Sequence, residues 1–132
     1  MPQPQSADPS AAIIEGFSKK LRLARASELA LSRKFLEAES LLCGRGLVSS
    51  DPDDLDLLAR IYLKQERFTD AREAWNRASV ADQNKTRYAP LLEELAKLEI
   101  EYVRRKWRIV AASAIMFAVA MVIIILTKLK GF

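Results

Sequence analysis

The chain has no histidine and only one cysteine among its 132 residues. Histidine is the usual general base near neutral pH and the commonest metal ligand, so its absence disfavours most enzymes and metal sites. A single cysteine cannot form an internal disulfide or a thiolate metal cage. The sequence also has no glycine-rich phosphate motif and no nucleophile elbow. We therefore expect no enzymatic activity, no cofactor and no bound metal.

Glycine and proline are also scarce, with four and five residues respectively. Between these few interruptions the apolar residues recur at helical spacing, and no stretch alternates as a half-buried strand would. The length permits one small domain. The sequence therefore predicts an all-α chain built from a short series of helices.

The excess of positive charge is confined to the C-terminal end. Residues 1–103 contain 15 Lys and Arg against 17 Asp and Glu, whereas 104–108 contains four basic residues, and Lys128 and Lys130 add two. Basic residues beside an apolar stretch are typical of the flanks of a membrane span. Because the rest of the chain is mildly acidic, we expect no nucleic-acid partner.

An uncharged stretch at 109–126 predicts a transmembrane helix. Its eighteen residues would form a helix of roughly 27 Å, close to the hydrocarbon thickness of a bilayer. The alternative is a buried core helix, but a domain this small offers too little protein to surround one. We place the transmembrane helix at 109–127, after a basic juxtamembrane segment at 104–108. The predicted interface residues are Arg104, Arg105, Lys106, Trp107 and Arg108.

The charges on either side of the span predict its orientation. Four basic residues before the span and two after it favour a cytoplasmic N-terminal body, with a short tail at 128–132 on the far side. Residues 1–10 lack the basic start and apolar core of a secretory signal. We expect a tail-anchored, single-pass protein of a bacterial inner membrane or a mitochondrial outer membrane.

Cap and stop residues divide the region before the span into helices. After a disordered N-terminus at 1–8, Asp8 and Pro9 predict the start of a helix that continues to about residue 32. Gly44 and Gly46 end a second helix at 36–43.

The acidic residues near Asp51 mark the start of a third helix. They could suggest calcium, but the loop glycine and closing glutamate of a calcium loop are missing, so helix capping explains them. Cys43, at the end of the second helix, is most simply a small apolar residue, with redox chemistry or lipidation as alternatives.

Residues 52–83 contain two amphipathic segments separated by a turn at 65–68. Counting from Pro52, seven positions along the two segments hold large, small, large, large, small, large and small side chains in that order. The residues at these seven positions are Leu58, Ala59, Tyr62, Phe68, Ala71, Trp75 and Ala78. The pattern resembles the tetratricopeptide repeat (TPR) family, in which small residues let two helices cross closely and large ones fill the wedge between them. The departures are Glu66, where the family often has glycine, and Gln83, where it often has proline.

A poorer copy of this pattern lies 33 residues earlier. It consists of Ala26, Leu29, Phe35, Ala38 and Leu42. It departs from the family at Arg22, Arg25 and Arg45, where residues are usually apolar or small. The resemblance implies a short array of helical hairpins at 9–103 that binds peptides or partner helices and is not a catalyst.

The first helix of each TPR hairpin lines a concave face, so the resemblance also implies a binding surface. The residues assigned to it are Lys20, Leu23, Ser27, Ala30, Asp53, Asp56, Arg60 and Lys64. They form either a recognition surface or an ordinary solvated helix face. The lysine and asparagine clamp of chaperone-binding members is not matched, which disfavours a chaperone tail as the ligand.

Apolar residues at the two ends of the predicted array need a separate explanation. Leu91, Leu95 and Leu98 form a stripe typical of a helix that covers the last repeat. No glycine or proline lies between Pro90 and Lys130, so that helix is expected to continue into the span. At the other end, Ile13, Ile14 and Phe17 form either an N-terminal cap, which we favour, or a partner-facing patch.

The repeat pattern and the span together favour a membrane-anchored adaptor or scaffold at the cytoplasmic membrane surface. The layout resembles the tail-anchored adaptors of mitochondrial fission. The expected partners are a protein helix or apolar segment and the lipid bilayer. The alternative is a structural accessory subunit of a multi-subunit membrane complex, bound through its transmembrane helix. Ala114 and Ala118 form a small-xxx-small pair that either packs against another membrane helix or reflects the abundance of alanine in such helices.

Overall fold

The computed structural model describes residues 8–44, 51–83 and 85–131, and within these ranges it is all-helical, as predicted. The five α-helices are α1 Pro9–Leu31, α2 Phe35–Cys43, α3 Pro52–Lys64, α4 Phe68–Ala81 and α5 Ala89–Lys130, and a 3-10 turn at Lys85–Arg87 precedes α5. The chain divides into two compact units, Met1–Leu92 and Glu93–Phe132. Of the N-terminus predicted to be disordered at 1–8, residues 1–7 lie outside the described residues, and Asp8 is instead the ordered N-cap of α1. The stop at Gly46 and the end of the tail at Phe132 also lie outside the described residues.

Two helices begin at the predicted aspartate caps. Asp8 accepts a hydrogen bond from the backbone N–H of Ser10 at 3.3 Å, and Asp51 accepts one from the N–H of Asp53 at 2.9 Å. Each cap is followed by the expected proline. Because the first N–H groups of a helix have no partner within the helix, these side chains fix the starts of α1 and α3.

The turns that join α1 to α2 and α3 to α4 have the same backbone geometry. Arg33 and Glu66, 33 residues apart, both adopt a φ of 60°. The residue after each donates its N–H back to the last turn of the preceding helix, Lys34 to Leu29 O and Arg67 to Tyr62 O, both at 2.9 Å. This pattern is the Schellman motif, in which a left-handed residue ends the helix. The two hairpins therefore turn in the same way, although neither uses glycine.

One core cluster of the first unit lies where α1, α2 and α3 meet. Alanine side chains occupy the closest approaches, because a small side chain lets helix backbones come near each other. The cluster consists of Ala26, Ala30, Ala38, Leu42, Leu58 and Ile61. In this unit α3 contacts α1, α2 and α4, so it is the central helix.

All eleven side chains predicted to pack the hairpins are at least partly removed from water. Eight are buried, namely Ala26, Ala38, Leu42, Leu58, Ala59, Ala71, Trp75 and Ala78. Phe35, Tyr62 and Phe68 are half-buried. Tyr88 is also fully buried, although the sequence did not single it out; the signal that could have found it is the helical spacing of Leu92 and Leu95, four and seven residues later.

The predicted N-terminal cap is wrong. Ile13, Ile14 and Phe17 lie on α1, and their side chains are 73%, 67% and 69% exposed. The helix instead buries Ala26 and Ala30, nearer its C-terminus and on another face. These large apolar side chains therefore cover nothing in the first hairpin.

The C-terminal helix, α5, is a single element of 42 residues. It is the helix among the described residues that is long and apolar enough to cross a membrane, and its apolar window is not buried at all. That exposure argues against a core helix and is consistent with a single-pass membrane protein. Leu95 is buried, whereas the covering of the last hairpin by this part of α5 stays a prediction.

The polar side chains within the apolar part of α5 are satisfied inside the helix. The hydroxyl of Ser113 donates to the Val110 carbonyl and that of Thr127 to the Ile124 carbonyl, both at 2.8 Å. A bilayer core offers no water to such groups, so an internal partner removes the penalty of placing them in lipid.

Candidate protein-binding surface

The residues predicted to line a concave face lie on α1 and α3, which contact each other. Exposed positions are Lys20, Asp53, Arg60 and Lys64, and half-buried positions are Leu23, Ser27 and Asp56. Ala30, assigned to the same face, is buried in the core cluster. The predicted surface is therefore mixed, because some of its members face solvent and others hold the hairpins together.

Leu23 does not present a free apolar contact. Its side chain is half-buried and packs against the core cluster that contains Ala26 and Leu58. Its contribution is to packing between helices, so the contacts available to a partner come from the exposed polar residues.

Asp56 also has a structural role that the sequence did not reveal. Its Oδ1 accepts a hydrogen bond from the indole Nε1 of Trp75 at 2.8 Å, and its Oδ2 accepts one from Arg60 Nε at 3.1 Å. A buried indole N–H needs such a partner. Asp56 therefore fixes the large aromatic side chain of α4 onto α3.

The acidic start of α3 is bound by basic residues of α1. Lys19 Nζ lies 2.8 Å from both Asp51 Oδ2 and Asp53 Oδ2. The hydrogen bonds that Lys19 donates to these two carboxylates, Asp51 first, raise the pKa of Lys19 above its ordinary value. Burial opposes ionisation of Asp51, but hydrogen bonds from Lys19 and from backbone N–H groups outweigh it and lower the pKa of Asp51. The caps thus also connect α1 to α3.

Asp54 is the buried charged side chain of this junction. It is 1% exposed, and its Oδ2 lies 2.7 Å from Arg22 Nη2. A buried carboxylate requires a paired partner, which Arg22 supplies. In the sequence, Asp54 is one of the acidic residues that follow Asp51 at the predicted start of the third helix. Its spacing from Leu58 and Ile61, four and seven residues later, is the signal that could have placed it on the inner face of α3.

A second polar cluster joins α2, α3 and α4. Glu39 accepts hydrogen bonds from the Tyr62 hydroxyl at 2.9 Å and from Arg67 Nη1 at 3.3 Å. Arg67 also donates to Asp70 Oδ2 at 2.7 Å, and its guanidinium lies 4.3 Å from the centre of the Tyr62 ring. Burial and then the Glu39 hydrogen bond raise the pKa of Tyr62, so its hydroxyl stays a donor.

A cleft of about 110 Å³ lies beside this cluster. Its lining residues are Cys43, Leu55, Leu58, Tyr62, Asp70, Glu73, Ala74 and Arg77. Burial first, and the nearby Glu39 carboxylate second, raise the pKa of the Cys43 thiol, while Arg77 opposes the shift. A protonated thiol is a poor nucleophile and a poor metal ligand, which favours the interpretation of Cys43 as a packing residue over redox chemistry.

Another open groove of about 300 Å³ lies where α1 ends and α2 begins. It is lined by Ala30, Leu31, Arg33, Phe35 and Lys64. The groove combines apolar walls with two cationic side chains at its edge.

The predicted membrane-interface residues are consecutive residues of α5 and cover little more than one turn. Arg104, Arg105, Lys106, Trp107 and Arg108 are all exposed. Lys106 Nζ lies 5.3 Å from the centre of the Tyr102 ring, a cation–π distance. Basic and aromatic side chains directly before an apolar helix are those expected at the headgroup layer.

The parts of the chain that the structure describes contain no group of three or more His, Cys, Asp or Glu placed to hold a metal ion. The polar clusters described above are ion-pair and hydrogen-bond networks between helices.

Comparisons with known proteins find no relative of this chain. No family model matches it, and neither the curated proteins nor the solved structures contain a match. The resemblance to the TPR family therefore depends on the residue pattern of the chain itself.

Proposed function

We propose that the chain is a membrane-anchored, TPR-like adaptor that binds a protein partner beside a membrane. The observation that carries the proposal is the repeated hairpin turn, with Arg33 and Glu66 in the same left-handed conformation 33 residues apart. A recurring supersecondary unit of this length is typical of helical repeat arrays, whose known role is to bind other proteins. The burial of the packing side chains at corresponding positions supports the same interpretation.

The partner that fits the exposed groups is a helix or extended apolar segment with acidic residues at its flanks. Lys20 and Lys64 are exposed on the proposed face, and Lys64 and Arg33 border the groove next to Phe35. An apolar anchor in that groove would supply burial, and flanking carboxylates would pair with the cations. Two hairpins offer only a shallow surface, so we expect a modest affinity.

Insertion of the apolar part of α5 into a bilayer would keep this surface near a membrane. The basic residues before the span favour a cytoplasmic location of the repeats and a tail-anchored topology. We also expect a fragment of residues 1–98 to be soluble and helical and to retain partner binding. An unfolded fragment by circular dichroism would contradict the repeat interpretation.

The decisive experiment combines cross-linking in native membranes with affinity capture of the full chain and mass spectrometry. Lys20→Glu with Lys64→Glu is expected to abolish capture of the specific partner, because the acidic flanks would be repelled. Arg77→Glu is the matched control, since Arg77 is an exposed cation on α4, outside the proposed face. Equal capture by all variants would contradict the proposed surface.

A replacement of residues 109–126 by an unrelated apolar helix separates the adaptor from the alternative function. An adaptor keeps its partner after this exchange, because the span serves only as an anchor. A structural accessory subunit loses its complex, because the span itself makes the specific contact. Loss of capture after the exchange, with the repeats still folded, would favour the accessory subunit.

A further inference from the structure

The outer face of α1 carries an apolar stripe, which we define as Ile13, Ile14, Phe17 and Leu21. The four side chains are 61–73% exposed. At 100° per residue they fall within one side of the helix, and the exposed Ala24 continues the same side. The buried residues of the helix, Ala26 and Ala30, lie on a different side. The stripe is thus a large solvent-facing apolar surface outside the predicted concave face.

Basic residues border the stripe on both edges. By the same angular count, Lys20 lies beside one edge and Arg25 beside the other, and both are exposed. Glu28 lies on the same side of the helix one turn after Ala24, and it pairs with Arg25 at 3.9 Å, so the two charges balance each other at the C-terminal end of the stripe. The other two cations of the helix, Lys19 and Arg22, bind the carboxylates of α3 and face the hairpins. The helix therefore presents apolar side chains between Lys20 on one edge and Arg25, which forms a long ion pair with Glu28, on the other.

We propose that this stripe lies on the surface of an anionic lipid bilayer. Helices that bind membranes in this way place Phe and Leu side chains at the boundary between headgroups and acyl chains, with Lys and Arg at the border directed to lipid phosphates. The candidate span in α5 belongs to the same polypeptide, so its insertion keeps α1 close to lipid headgroups at high effective concentration. Charge complementarity and the tethering to a bilayer both identify lipid as the occupant.

A second copy of the chain fits the stripe less well. Packing stripe against stripe would bring Lys20 and Arg25 of the two copies to the same borders, where charges of like sign repel each other. Anionic headgroups instead neutralise these cations at both edges. The proposal therefore extends the role of α1 beyond the repeat array and beyond binding of a protein partner.

The test uses the full chain reconstituted into vesicles. An environment-sensitive fluorescent label is attached at Ala24→Cys, in line with the stripe, in a Cys43→Ala background. Vesicles contain either phosphatidylcholine alone or phosphatidylcholine with phosphatidylglycerol. We expect a blue-shifted emission and quenching by doxyl-labelled lipids in the anionic vesicles, and a smaller shift at high salt because screening weakens the attraction. The same label at Val80→Cys on α4 should report water in both vesicles.

Two double variants then separate the stripe from general hydrophobicity. Phe17→Ser with Leu21→Ser should lose the blue shift, and Arg25→Glu, at a cation outside the proposed protein-binding face, should weaken it. Leu36→Ser with Val80→Ser is the matched control, because both side chains are exposed and apolar but lie outside the stripe. It should leave the shift unchanged, and circular dichroism should show the same helix content for all variants.

Three results would overturn the proposal. One is a label at Ala24→Cys that stays in water while the chain floats with the vesicles. Another is a shift that grows with the ratio of protein to lipid, which would indicate a second copy. The last is a shift that requires added cytosolic proteins, which would indicate a protein partner.

Discussion

The two hairpins share a turn but differ in what surrounds them. In both, a left-handed arginine or glutamate ends the first helix, and alanines fill the close approach of the pair. The central helix α3 has neighbours in α1, α2 and α4 and buries even a carboxylate, Asp54. By contrast, α1 leaves an entire apolar side to solvent. The comparison shows that local sequence sets the turn, whereas burial depends on the number of neighbouring helices.

The largest expected loss of stability comes from substitutions at equivalent positions of the two hairpins. Trp75→Ala should lower the free energy of unfolding by about 3–5 kcal/mol, and Leu42→Ala, 33 residues earlier, by about 2–3 kcal/mol. The tryptophan is larger, and its loss also leaves the Asp56 carboxylate without its indole donor. Chemical denaturation of the full chain in detergent, monitored by circular dichroism, measures the loss of unfolding free energy in each variant. Equal losses would show that the larger indole and its hydrogen bond to Asp56 add nothing to the stability of the second hairpin.

The next effect concerns the buried carboxylate that distinguishes α3. Asp54→Ala should lower the free energy of unfolding by about 1–3 kcal/mol, because Arg22 loses its buried partner. Asp53→Ala is the matched control, since Asp53 is exposed and its ion pairs contribute less than about 1 kcal/mol. The same denaturation experiment compares them. If both variants lose the same small amount, the Arg22 pair does not hold α1 on α3.

Glycine in the two turns should stabilise both hairpins. Arg33→Gly and Glu66→Gly each remove the strain of a side chain at a φ of 60° and should raise the free energy of unfolding by up to about 1 kcal/mol. Glu28→Gly, at an exposed helical position of α1, should lower it by a similar amount. A gain at one turn and a loss at the other would show that the two turns are not equivalent.

The smallest expected effect is a pH dependence at the junction of α1 and α3. The pKa of Asp51 is lowered in the folded chain, so its stabilisation is present above the ordinary value of about 4 and is lost as the pH falls through the lowered pKa. The raised pKa of Lys19 has the opposite sign: its stabilisation is present below about 10.4 and is lost as the pH rises through the raised value.

Lys19→Met tests this dependence. The variant should be less stable than the parent chain by about 0.5 kcal/mol at pH 7, a typical value for a partly exposed ion pair. The difference should shrink once Asp51 is protonated. Denaturation series between neutral and acidic pH measure it, with Lys34→Met as a control outside the junction. A difference that stays constant down to strongly acidic pH would exclude the ion pair as its source.

Features encoded by neighbouring residues were predictable from the sequence. Asp8 and Asp51 identified helix starts, because a cap requires only the residues that follow it. The apolar length of 109–126 identified the candidate span. Periodicity also selected the packing alanines, since helix faces follow directly from spacing.

Contacts between residues that are far apart in the sequence were not predictable. The bonds from Tyr62 to Glu39 and from Arg22 to Asp54 join residues 23 and 32 positions apart. No local pattern identifies such partners, since many charged residues share the same spacing. The exposure of Phe17 was missed for the related reason that an apolar helix face does not reveal whether a neighbour covers it.

The contrasting surroundings of the two tryptophans give the chain a pair of built-in optical reporters. Trp75 is 5% exposed and hydrogen-bonded inside the hairpins, whereas Trp107 is 69% exposed at the predicted headgroup level. Iodide in the aqueous phase should therefore quench the fluorescence of Trp75 only when the hairpins unfold. Brominated lipids should quench the fluorescence of Trp107 once α5 is inserted into the bilayer. Unfolding and insertion could then be followed separately in the unlabelled protein.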